Sequence, residues 1–235
     1  MAYEVGIDFA EVDQGNKHVH LSVKGDCIAI MDLVLVLDRS SALTNETWHG
    51  IMLPLITEML QQLEINAVET RVAIVSYADT AKVEAYFSDI MDGGNLTELV
   101  LGIQHTGGGT NTPAALDLVY NEVLVQERGH RAGSQRVVAP IILLTHGPST
   151  YGSPKTAGQR LFSDKQGIVF AVGLGDNVNA SELAVGRAPA YPVSWCICST
   201  LSPAPPLFLF FFFFSSFFFF FFLFSFRMLR TTRAT

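Results

Sequence analysis

One carboxylate and two hydroxyls, Asp38, Ser40 and Thr110, form a set of hard oxygen donors of the kind that holds a small divalent cation such as Mg²⁺. Asp38 and Ser40 lie in LVLVLDRSSA (33–42) and Thr110 in TGGGTNTPAAL (106–116); a third stretch, IILLTHGPS (141–149), contains Thr145 and His146. Each joins an apolar run to a loop rich in hydroxyls or glycines. Loops at the carboxyl ends of neighbouring parallel strands converge in space, so the three stretches can build one site. Other chemistries fit less well. No Gly-Lys-Ser/Thr follows Gly107, Gly108 and Gly109, which argues against a phosphate loop. No Gly-x-Ser-x-Gly elbow is present to activate Ser40 as a nucleophile.

The elements that must position these residues follow from periodicity. Residues 29–38 are nearly continuous in Ile, Leu and Val, as a central parallel strand buried on both faces requires. A helix to about residue 64, capped by Asn45 or Thr47, carries Ile51, Leu55, Met59, Leu60 and Leu63 on one side. Residues 71–77 and 82–87 are strands separated by the turn ADTA, the second an antiparallel edge. Helices are expected at 95–103, at 113–126 opened by Pro113, and at 155–166 with Ala157, Leu161 and Phe162 turned inward. Strands are expected at 136–145 and 167–174. The alternation predicts an α/β fold, a doubly wound, mostly parallel sheet with helices on both faces and one antiparallel edge strand.

Over roughly residues 27–188 the chain resembles a von Willebrand factor type A domain, whose metal-ion-dependent adhesion site is written Asp-x-Ser-x-Ser, then Thr, then Thr-Asp-Gly. Asp38, Ser40 and Thr110 fall on that pattern, while Ala42 replaces the second serine and His146 the second aspartate. The resemblance implies a non-enzymatic adhesion module of matrix or cell-surface type. It would bind collagen or another matrix or cell-surface protein through its upper face, with Thr112, His105 and His146 on the rim. The two departures imply weak Mg²⁺ binding or none. Three other readings stay open: that the remaining donors only bond loop backbone, that the domain is an intracellular scaffold for complex assembly, or that the strand-end crevice serves a small-ligand binder or hydrolase.

A net charge of -7 excludes a surface built to bind nucleic acid. Asn45, Asn95 and Asn179 open N-x-S/T sequons, which suit a secreted surface. The resemblance implies a bridge from Cys27 to Cys196 or Cys198 that ties the ends of the domain together; three free thiols is the alternative. The expected layout is a polar leader (1–26), the A domain (27–192) without the family's last strand and helix, a Pro/Ser/Cys linker (193–206), a Phe-rich segment (207–226) and a basic tail (227–235). Because the opening MAYEVGIDFAEVD has no signal-peptide pattern, the chain is expected to be a fragment, or a gene product whose ends were misassigned.

Leu207–Phe226 has twenty residues without a charge and is followed by Arg227, Arg230 and Arg233. As a helix it would span a bilayer once, with the domain outside. The rival reading is a translated polypyrimidine intron: Phe, Ser and Leu codons dominate, and Val193–Ser194 can be encoded as a splice donor.

Overall fold

The computed structural model describes residues 30–89, 92–134, 137–174, 179, 182, 196–198, 207–213 and 219–225. The expected architecture is present. Strand β1 (Met31–Asp38) pairs in parallel with β2 (Thr70–Tyr77) on one side and β4 (Ala139–Thr145) on the other; β4 pairs in parallel with β5 (Gly167–Leu174). The hairpin partner β3 (Ala81–Ala85) is the antiparallel edge beside β2. All eight residues of β1 are buried, because alternate side chains feed opposite layers. Leu33, Leu35 and Leu37 join Trp48, Met52, Ile56 and Leu60 on one face. Val34 and Val36 join Leu116, Val119, Leu143 and Leu161 on the other. The polar ends of the strands are thus fixed relative to one another by two apolar layers.

The helices differ from expectation in instructive ways. The first begins at α1 (Asn45–Thr47), but its cap is Thr44, whose Oγ1 accepts from the Thr47 N–H at 3.1 Å. A wide turn, Trp48–Met52, separates α1 from α2 (Leu53–Gln61). Pro54 supplies no N–H for a regular helical bond, so the backbone loosens one turn earlier. In α3 (Gly93–Gly102) the cap is Asp92, which accepts from the Asn95 N–H at 2.8 Å. The helix opened by Pro113 is α4 (Thr112–Leu118), which relaxes into a second wide turn, Val119–Val123. In α5 (Lys155–Lys165) Ala157 and Leu161 are buried as expected, whereas Phe162 is 37% exposed: it lies one residue past Leu161, about 100° around the helix and off the core stripe.

Two further pieces of sheet lie in the C-terminal region. A short strand, β6 (Cys196–Cys198), pairs in parallel with β5, so the sheet order is β3-β2-β1-β4-β5-β6. The Phe-rich segment is extended rather than helical: β7 (Leu207–Phe213) and β8 (Phe219–Ser225) pair antiparallel as a separate two-stranded sheet. Aromatic residues favour strands over helices, which accounts for the change. Among the described residues no helix is long and apolar enough to cross a membrane.

Candidate functional site

Asp38 is the last residue of β1 and is fully buried. Its Oδ1 accepts from the Ser40 N–H at 2.9 Å, a tight turn that brings Ser40 back over the strand end. Its Oδ2 accepts from the Thr145 hydroxyl at 3.0 Å and the His146 N–H at 3.3 Å, which ties β1 to the end of β4. Ser40 Oγ and Thr110 Oγ1 lie 2.9 Å apart, both buried. The predicted donors, from positions 70 residues apart, therefore meet at one point. Every partner of the Asp38 carboxylate here is a neutral donor, and a buried carboxylate gains from a cation nearby.

The departed positions have visible consequences. Ala42 is half-buried, and a Cβ placed on Gly147 would stand 3.3 Å from its methyl, so the turn after β4 closes tightly over a residue with no hydroxyl. Ser41 does not replace it: its hydroxyl donates to the Gly108 carbonyl at 2.7 Å, away from Ser40. His146 is half-buried, and its Nδ1 is enclosed without a hydrogen-bond partner. Among the described residues no cluster of three His, Cys, Asp or Glu side chains is arranged to hold a metal. By type the donors fit a hard cation such as Mg²⁺, with Asp38, Ser40 and Thr110 as the residues that would hold it. By number they fall short of six oxygens.

The glycine loop is held by residues that the sequence did not single out. Gly107 and Gly108 adopt φ of 70° and 91°, the left-handed region open to glycine. A Cβ at Gly108 would lie 2.2 Å from Asp79 Oδ2. Asp79, in the β2–β3 turn, accepts from the Gly109 N–H at 2.8 Å and from the Tyr151 hydroxyl at 2.7 Å. Those bonds, Tyr151 first, hold its carboxyl below the usual value and push the Tyr151 phenol up. Thr150 closes the latch, with its hydroxyl accepting from the Thr110 N–H at 2.9 Å. A carboxylate in a turn at the carboxyl end of a sheet strand was the available signal for Asp79.

The residues expected on the rim are buried or half-buried. Thr112 is 2% exposed and turned inward, because it opens α4 against the sheet. It lines a cleft of about 10 Å³ with Thr145, Gly147, Pro154 and Glu182, room for a single water. The buried Tyr77 hydroxyl faces Thr145 and Thr112 without closing a bond of ordinary geometry; burial, and then the Asp38 charge, raise its pKa well above normal. His105 is half-buried, with Nε2 3.0 Å from the Ser40 carbonyl and its ring 5.9 Å from that of Trp48. Ser41, Thr106, Asp79, Thr150 and Tyr151 are exposed near this end of the sheet. Asn45, Asn95 and Asn179 are all exposed.

Cys27 lies outside the described residues, but chain length limits its reach. Cys196 pairs with Val172, Val172 with Leu144 and Leu144 with Leu37, so Cys196 is level with Leu37 and three strands away from it. Ile30, whose carbonyl accepts from the Val138 N–H, is seven residues below that level. At ~3.3 Å per residue and ~4.8 Å per strand, Ile30 and Cys196 are roughly 27 Å apart. The three residues back to Cys27 span at most ~11 Å. That leaves a gap well beyond the ~7 Å limit between the Cα atoms of a disulfide, and Cys198 is farther still.

A sequence model of the von Willebrand factor type A domain matches residues 32–190. Matrilin-3 of Gallus gallus is 28% identical over 151 residues, covering 62% of this chain and 31% of its own length. The transmembrane cell adhesion receptor mua-3 of Caenorhabditis elegans is 28% identical over 154 residues, covering 65% of this chain and 4% of its own length. The chain thus spans under a third of the length of either relative. Among solved structures, proximal thread matrix protein 1 from the mussel byssus, with a zinc occupied MIDAS motif, has a TM-score of 0.61 at 18% identity, covering 67% of this chain and 41% of that one. At that identity it shows the shared fold.

Proposed function

The chain belongs to the von Willebrand factor type A family, and from that premise we propose that it is a non-enzymatic protein-binding module of extracellular-matrix or cell-surface type. The observation that carries this reading is the convergence of Asp38, Ser40 and Thr110 at the carboxyl ends of β1 and β4, beneath an exposed rim. A cation held there would offer an open position to a partner's carboxylate. With one carboxylate and two hydroxyls left, Mg²⁺ binds weakly, and most of the binding energy comes from the rim. Tyr151, 52% exposed and fixed by Asp79, is the aromatic anchor of that rim. Among the relatives, one is named as a cell adhesion receptor, which supports adhesion.

The test is surface binding of the chain to fibrillar collagen and a panel of matrix proteins. Saturable binding is expected to fall roughly tenfold or more in Tyr151→Ala. It should fall only a few-fold in Tyr151→Phe, which keeps the ring and loses the bond to Asp79. Chelation of divalent ions should cost less than Tyr151→Ala. Binding that ignores the Tyr151 substitution would move the interface off this face.

A further inference from the structure

The Phe-rich hairpin lies outside the site and is unused by the reading above. Its register is unusual: Phe208 pairs with Phe224, Leu209 with Leu223, Phe210 with Phe222, Phe211 with Phe221, Phe212 with Phe220 and Phe213 with Phe219. Like faces like along nearly the whole ladder. Each strand is therefore its own complement, and an identical strand from another molecule can be accepted at either edge in the same register, or in a slipped one at little cost. Neither strand contains a charge or a proline, the residues that blunt strand edges, and neither contains a glycine. Among the described residues β7 and β8 form a sheet of two strands only, so the outer edge of each has no paired strand. A two-stranded sheet is marginal alone in water.

Two environments relieve such a hairpin: more strands, or lipid. Lipid is the poorer fit, because the hydrocarbon core offers no partner to the N–H and C=O groups along an open sheet edge. We infer that Leu207–Ser225 is a self-association element through which copies of this chain join by edge-to-edge addition of the β7–β8 hairpin, giving a cross-β stack of A domains. Short uncharged segments of high strand propensity without proline or glycine stack in this way, and identical segments stack best. The A domain is carried outside the stack, since the hairpin pairs separately from the six-stranded sheet.

Sedimentation of the full chain in lipid-free buffer tests this, together with thioflavin fluorescence and fibre diffraction. The unaltered chain should sediment far above its 25.7 kDa mass, increasingly so with concentration, and give a reflection near ~4.7 Å. Phe210→Lys combined with Phe222→Lys places like charges directly opposite and should return the chain to 25.7 kDa, with its near-ultraviolet dichroism and melt retained. Phe212→Pro, which removes a strand N–H, should give the same loss by a different route. Three results would overturn the inference: an unaltered chain that stays monomeric, assembly undiminished in both variants, or partition into phosphatidylcholine vesicles as a helical monomer.

Discussion

Restoring the two departed donors should convert a weak cation site into a firm one. The perturbation is Ala42→Ser together with His146→Asp. The His146 N–H already lies 3.3 Å from Asp38 Oδ2, which puts the backbone of residue 146 beside the cluster that a carboxylate there would have to join. The added serine oxygen must turn away from Gly147, where even a Cβ would stand only 3.3 Å from that of Ala42. Two unit charges ~4 Å apart interact by ~1 kcal/mol in bulk water, so one new carboxylate beside a divalent cation contributes about 2 kcal/mol even at that dielectric. The gain is larger in a partly buried site. At about 1.36 kcal/mol per decade, ~2 kcal/mol is roughly a thirtyfold increase in Mg²⁺ affinity. Titration calorimetry reads this directly, and the rise in melting temperature with added MgCl₂ reads it independently. Tight Mg²⁺ binding by the unaltered chain would refute the reasoning, as would a folded double variant that binds no more tightly.

Further expectations follow from other parts of the structure. At the opposite end of β1, buried Asp32 accepts from His130 Nδ1 at 2.9 Å, from the Arg131 N–H at 2.7 Å and from Arg131 Nε at 2.8 Å, so Asp32→Ala should cost about 3–5 kcal/mol in a urea melt. Burial raises the Asp32 pKa, but the bonds from His130 and Arg131 prevail and hold it below 3.8; its contribution is therefore complete above that value and lost as pH falls through the lowered one, which acid titration of stability will show. Gly108→Ala should destabilise by about 1–2 kcal/mol, from its φ of 91° and its collision with Asp79, as a urea melt will read. Peptide mapping of the unreduced chain should find no bridge from Cys27 to Cys196 or Cys198, and recovery of one would show that β6 leaves the sheet. Secretion from a glycosylating host should give a mass shift, reversed by amidase, at the exposed Asn45, Asn95 and Asn179.

The apolar run of β1, the stripe of α2 and the hairpin of β2 and β3 were legible because they are patterns within a few residues of chain. The donors Asp38, Ser40 and Thr110 were legible for the same reason, the first two lying where an apolar run stops and Thr110 just before the next one begins. What the tertiary structure decided was orientation and level. Whether Ser41 could stand in for Ala42 depended on a carbonyl 67 positions away, and the Asp79–Tyr151 latch joins residues 72 apart. Thr112, expected on the rim, opens α4 and faces inward, because α4 packs on the sheet by its first turn. Cys196 and Cys27 flank the domain in sequence, yet the register of four successive strands places Cys196 at the carboxyl end while the chain from Cys27 enters at the other. Local periodicity states which face of an element is apolar. Only the packing of two apolar layers fixes how far one strand slides past the next, and with it which loop groups meet.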